Sequence, residues 1–289
     1  MLLYWARHLA RTKGKKVLVV DLDLESPGVS AALLPAGVKP RFGVVDWYVE
    51  DGVRQADSAL LSEMTGQSPL GSGSKGGSLV VAPVAGHANK DYLAKLARVY
   101  ASPPGAGDSG AFGDRTARLI DALEDLVKPD VTLIDSRAGL HDVGAISVVR
   151  LGAVSFLFAT ETEENWLGYQ YMFEAWGRQP SVLEQFRDTL QVVASLVPET
   201  GAQLYLERLG DRAHALFSGY IYESSSPGQP GFNFGRSDSE GPHFPIPVRW
   251  NRSFFAHDPT NTTFDSVQEN LVEASFGEFF ARADELVLS

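Results

Sequence analysis

The chain has 289 residues, 44% hydrophobic and 21% charged, with a formal charge of −11 from 25 basic and 36 acidic side chains. That length and apolar content supply a sizeable core, the acidic balance argues against strong general nucleic-acid binding, and a sequence without cysteine excludes disulfide frameworks and thiolate metal sites. No apolar run reaches the ~18 residues of a membrane span, and the basic start lacks the apolar stretch and cleavage site of a signal peptide, so the composition points to a cytoplasmic protein off the membrane.

Residues 1–12 space Leu2, Leu3, Ala6, Leu9 and Ala10 at helical intervals, and Gly14 among lysines marks a helix C-terminus. The cations of this stretch, Arg7, Arg11, Lys13, Lys15 and Lys16, read as a solvated helix face and turn. Residues 17–20 are a continuous apolar run, as in strands buried on both faces of a parallel sheet. The run ends in Asp21-Leu22-Asp23-Leu24-Glu25-Ser26-Pro27-Gly28, three acids at alternate positions before a turn. Residues 42–66 read as partly helical, 68–78 as a flexible Gly/Ser-rich loop, 79–84 as a second buried strand and 91–100 as a helix. A Pro/Gly/Ser-rich connection follows over 101–113.

Residues 115–127 form an amphipathic helix with Leu119, Ile120, Leu123 and Leu126 on one face, stopped by Pro129. The next strand, 131–134, again ends in an acid, Asp135. Then come a strand at 153–159, a helix at 165–178, helical residues at 181–188, a strand at 190–197 and a helix at 203–217. Residues 224–247 are loop-rich, 244–248 suit a short strand, and a last helix lies near 265–286. Alternating strands and helices predict one α/β domain over 1–289, a doubly wound, mostly parallel sheet with helices on both faces.

The two strand-end motifs, VLVVDLDLESPG and VTLIDSRAG, lie at the carboxyl edge where open α/β sheets bind ligands. One acid after a strand is commonly a turn former. Two such acids on parallel-type strands point to a metal–nucleotide site, since Mg²⁺ keeps most of its waters and takes one or two carboxylates plus phosphate oxygens. A carboxylate at a strand tip is rigidly placed to hold a metal-bound water or to orient an attacking one. In Asp135-x-x-x-Gly139 the glycine lets a backbone N–H approach a terminal phosphate, and losing that phosphate would release the loop.

These motifs resemble those of the ParA/MinD-type ATPases, the deviant Walker A class of P-loop ATPases. VLVVDLDLESPG, after its lysine-rich turn, resembles their first switch region with its D-x-D. VTLIDSRAGLHDVGA resembles their Walker B strand and second switch, usually D-T-P-A-G. The resemblance covers nearly the whole chain, strongly to about residue 165 and loosely beyond. It implies a P-loop NTPase fold and a molecular switch that binds ATP with Mg²⁺, forms a homodimer and hands its state to an unidentified protein partner. It also implies that Asp21 sits near Mg²⁺, Asp135 holds a metal-bound water and Asp23 orients the hydrolytic water. Gly139 would place its N–H at the terminal phosphate, and Pro247, in a P-I-P-V-R segment, would lie on the adenine side.

The chain also departs from the family pattern. Arg137-Ala138 replaces the usual Thr-Pro, which marks a divergent subfamily with a DSRAG second switch. Arg137 is a candidate contact to phosphate or to a partner chain, and equally a surface salt bridge. The strand at 190–197 lacks the Asn that many relatives place beside the base. The family's K-G-G-x-G-[KR]-[ST] loop and the strand before it precede the helix with which this chain opens. The expectation is a start site assigned too late, with the loop encoded upstream; the alternative is a true loss, leaving a catalytically degenerate, nucleotide-free interaction module with the same fold.

Other features carry blander readings. Gly73-Ser74-Lys75-Gly76-Gly77 is followed by a strand, whereas a phosphate loop opens a helix. The six histidines lack H-x-x-x-H and H-E-x-x-H spacings, which argues against zinc, and His141-Asp142 reads as loop and cap chemistry. Glu161, Glu163 and Glu164 read as a solvated loop at the same sheet edge. The last helix carries Phe276, Phe279 and Phe280 but also Glu269, Glu273, Glu278, Asp284 and Glu285, so it suits core packing and would be repelled by an anionic membrane. No G-x-G-x-x-G follows the first strand, which disfavours a dinucleotide oxidoreductase.

Overall fold

Val17, Leu18, Val19 and Val20 are all fully buried, as a strand covered on both faces must be. They form the centre of β1 (Lys16–Asp21) in a computed structural model that describes residues 1–101, 111–136, 151–223, 231–256 and 266–288. These residues fall into two units, one up to residue 136 and the other from 151 onward.

In the first unit β1 is joined by β2 (Gly66–Gln67), β3 (Ser78–Ala82) and β4 (Val131–Asp135) in the order β2-β3-β1-β4. β3 and β4 both run parallel to β1, in registers that pair Val17 with Leu79 and with Val131, while β2 is antiparallel to β3. Around this sheet lie α1 (Leu2–Arg11), α2 (Val29–Leu33), α3 (Val44–Asp51), α4 (Ser58–Glu63), α5 (Tyr92–Val99) and α6 (Phe112–Val127). α1 buries Leu3, Ala6, Leu9 and Ala10 along one stripe and packs on β1, β3 and β4. Gly14 closes the turn after it with φ +71°, and a Cβ there would stand 2.9 Å from the Lys75 carbonyl oxygen.

The stretch 42–66 splits into two helices because each has its own cap. The Asp46 carboxylate accepts from the Gly43 N–H at 2.9 Å, and the Asp57 carboxylate accepts from the Leu60 N–H at 2.8 Å. In α6 the buried stripe runs Leu119, Ile120, Leu123, Val127. Leu126, expected on that face, is 42% exposed, because Val127 continues the i, i+4 step from Leu123 and turns Leu126 outward. The same helix buries Arg115, which bonds Asp51 at 2.7 Å and the Val99 carbonyl at 2.9 Å and also reaches the Tyr48 carbonyl.

The second unit has β5 (Ser155–Ala159), β6 (Leu190–Val197) and β7 (Ile246–Arg249), all parallel in the order β5-β6-β7. Its helices are α7 (Glu163–Gly177), α8 (Pro180–Leu183), α9 (Ala202–Tyr220) and α10 (Ser266–Leu288). Trp166, Phe173, Trp176, Phe186 and Phe217 pack its core against Leu157 and Val192. Phe276, Phe279 and Phe280 are buried, with Phe279 edge-on to Phe156 at 5.1 Å, so α10 uses its aromatics as core. The loop-rich stretch is described from residue 231 and folds around buried His243. His243 Nε2 faces the Arg236 carbonyl at 3.2 Å and therefore donates, leaving Nδ1 to accept from the Tyr222 hydroxyl.

Candidate functional site

Neighbouring parallel strands lie ~4.8 Å apart, so residues in register leave the sheet together. Asp21 and Asp135 are register partners across β1 and β4, and the Leu22 N–H extends the ladder to the Asp135 carbonyl at 2.8 Å. The structure thus brings both strand-end acids to one edge. Asp21 is fully buried. One of its carboxylate oxygens accepts from the Asp23 N–H and the other from the Ser30 N–H, each at 3.2 Å. Asp23 in turn accepts from the Ser26 N–H at 3.3 Å, so the acidic segment closes on itself as an Asx-type turn leading into α2.

Electrostatics ties the three acids together. Burial pushes the Asp21 carboxyl up; hydrogen bonds from Ser30 and Asp23 oppose this, and the Asp23 charge adds to it. Asp135 is pushed up to about 6, first by burial and then by the charges of Asp21 and Asp23. The amino end of α1 also lies here: burial pushes the Met1 amino group down, while the Asp135 charge favours its protonated form.

This is an edge of hard oxygen donors with more negative charge than it balances, which fits a divalent cation held partly through water. Asp135 is the freer of the two proposed metal-facing acids, because both Asp21 oxygens already accept backbone N–H bonds. Among the described residues no three His, Cys, Asp or Glu side chains are gathered as a direct metal cage. The residues present therefore fit Mg²⁺ held through waters and ligand oxygens, not a cage made of protein alone.

Sequence reasoning missed two residues that touch this loop. The Tyr92 hydroxyl donates to the Leu24 carbonyl, and the Tyr100 hydroxyl donates to the Glu25 carboxylate at 2.6 Å. Tyr92 is pushed up to about 12 by burial and then by Asp21, Glu25 and Asp23, which keeps it a donor. The only local signal was a tyrosine near each end of the predicted helix 91–100.

Gly139 and Arg137, with His141 and Asp142, lie outside the described residues. Pro247 is in the second unit on β7, the edge strand of its sheet, in register with Ala194. The Gly73–Gly77 segment leads into β3, not a helix, and it lies against α1: a Cβ at Gly77 would stand 2.1 Å from the Ala10 carbonyl oxygen. Of the acids after β5, Glu161 and Glu163 pair with Arg212 of α9 at 3.3 and 2.6 Å; Glu163 and Glu164 are exposed, as expected of a solvated segment, and Glu161 is half-buried. No described helix is long and apolar enough to cross a membrane.

No protein-family model and no curated protein matches the chain. Among solved structures it is similar to pnob8 ParA, with 18% sequence identity and a TM-score of 0.53 over 99% of this chain and 91% of that one. At that identity the likeness speaks to fold alone, and the sheets flanked by helices described above agree with it: the chain has a mixed α/β fold like that of pnob8 ParA.

Proposed function

We propose that this chain is a Mg–ATP-dependent molecular switch of the ParA/MinD kind, with Asp21, Asp23 and Asp135 as its metal-facing edge. The observation that supports it most is the register pairing of Asp21 with Asp135, which concentrates charge where a cation would relieve it. Asp135 would hold a metal-bound water, Asp21 would set the shape of the loop beside the metal, and Asp23 would orient the attacking water. Bound Mg²⁺ would supply charge neutralisation at the terminal phosphate. Catalysis of this type rests on positioning and electrostatics. By the same resemblance the Gly139 N–H and Arg137 would meet phosphate and Pro247 would border the adenine. A cytoplasmic homodimer would pass its nucleotide state to a protein partner.

On this reading a phosphate-binding loop would lead into α1 from a further strand. That strand would run parallel to β1 in a β-loop-α unit. Both neighbours of β1 are taken by β3 and β4, and among the described residues the outer edge of β4 is open to such a strand. The test is calorimetric titration of Mg–ATP into the chain extended through its upstream reading frame. The expected result is one ATP per chain, with binding abolished by Asp135→Ala. An extended chain that carries the K-G-G-x-G-[KR]-[ST] loop and binds no ATP would overturn the proposal.

One observation favours a second reading, a nucleotide-free interaction module. Asp21 uses both carboxylate oxygens to shape its own loop, a role that needs no ligand. On that reading Asp23→Ala and Asp135→Ala bind the protein partner as well as the parent does.

A further inference from the structure

We infer that Tyr92 and Tyr100 are positioning residues: from the two ends of α5 their hydroxyls clamp the acidic loop after β1 and so set where Asp23 stands relative to Asp21 and Asp135. The loop has two kinds of anchor. Leu22 and Leu24 are fully buried and hold it from beneath. The tyrosines hold it from the side, Tyr92 through the Leu24 backbone carbonyl and Tyr100 through the Glu25 carboxylate. The two grips fall on residues 24 and 25, between Asp23 and Ser26, whose own hydrogen bond forms the turn.

The clamp is tied to the rest of the unit. Lys95, between the two tyrosines, pairs with Asp46 at 2.6 Å and bonds Asn89 at 3.3 Å. Asp46 also caps α3 through the Gly43 N–H. Asp91, just before the helix, sits at φ 54°, a left-handed turn that Asp tolerates and that starts α5 beside the loop. A continuous path of hydrogen bonds therefore runs from the α3 cap through α5 to the acids. Its effect on nucleotide chemistry rests on the Mg–ATP reading, whereas the clamp itself does not.

The test is hydrogen–deuterium exchange by mass spectrometry on the full chain, comparing the parent with Tyr92→Phe, Tyr100→Phe and the double variant. Phenylalanine keeps the rings and removes only the hydroxyls. The expected result is about tenfold faster exchange at residues 22–26 in the double variant, the size of a lost hydrogen bond or two, with β1, β3 and β4 unchanged. Tyr100 is 39% exposed, so its single variant folds regardless and is expected to loosen residues 25–26. Unchanged exchange over 22–26, or a uniform rise through the whole unit, would overturn the clamp. If the loop loosens as expected while Mg–ATP leaves its exchange unaltered in the upstream-extended parent, the clamp stands and the nucleotide proposal falls.

Discussion

Asp21 is the register partner of Asp135 across the β1–β4 pair, and its charge, added to burial, pushes the Asp135 carboxyl up to about 6. The two acids share one edge, and burial disfavours the ionised form of both, but only Asp21 also accepts two backbone N–H bonds.

A pH prediction follows from Asp135. Its folded pKa lies above the ordinary carboxyl value of 3.8, so its contribution to stability is full below about pH 4 and is lost as pH rises through about 6. Asp135→Asn should therefore stabilise the protein at pH 7.5, by about 1–3 kcal/mol after allowance for solvent screening, and give little at pH 4. Thermal melts at the two pH values check this, and a variant no more stable than the parent at pH 7.5 would contradict it. On the proposed function the same variant also weakens Mg–ATP binding in the upstream-extended chain.

Asp21→Ala should destabilise, because the two backbone bonds it loses outweigh the relief of its buried charge. It leaves the Asp23 and Ser30 N–H groups without their acceptor, at a cost of about 1–3 kcal/mol. Urea denaturation at neutral pH measures the loss, and Asp21→Asn, which keeps one acceptor oxygen, should recover part of it.

Arg115→Met should destabilise the first unit by about 3 kcal/mol, because it strips a buried guanidinium from Asp51 and from two backbone carbonyls while their desolvation remains. Asp51 retains Arg118 at 3.1 Å, which limits the damage. A denaturation midpoint equal to that of the parent would show that the pair contributes nothing net.

His243 should take up a proton less readily than an ordinary imidazole. Burial pushes its pKa down, the Arg236 carbonyl opposes this, His214 adds to the lowering, and Asp238 opposes it again. A depressed folded pKa means that its contribution is full above the ordinary value of about 6.5 and is lost as pH falls through the lower folded value. NMR titration of the ring nitrogens is the direct check. Tyr222→Phe should remove the donor to Nδ1 and destabilise the second unit by about 1 kcal/mol.

Much of the fold was legible locally. The runs at 17–20, 79–82, 131–134, 155–159 and 190–197 are strands because continuous apolar side chains need cover on both faces, and α1 and α6 follow their 3.6-residue stripes. The five-residue α2 and the two-residue β2 left no period to read. The exposure of Leu126 depended on which of two adjacent residues continued the stripe. The loop reading of 68–78 holds in outline, but the glycines there also permit a tight approach to α1, as at Gly77, which a linker-like composition does not reveal.

By itself the sequence determined the α/β class, the chief strands and helices and the presence of acids at two strand ends, because periodicity and strand-end chemistry are properties of a few consecutive residues. Only the tertiary structure decided that Asp21 and Asp135, 114 positions apart, are neighbours, that Asp21 faces inward, and that Tyr92 and Tyr100 reach back to residues 24 and 25. Strand order and register set those meetings, and both arise when distant segments bury their faces against one another, a choice that no local window of residues contains.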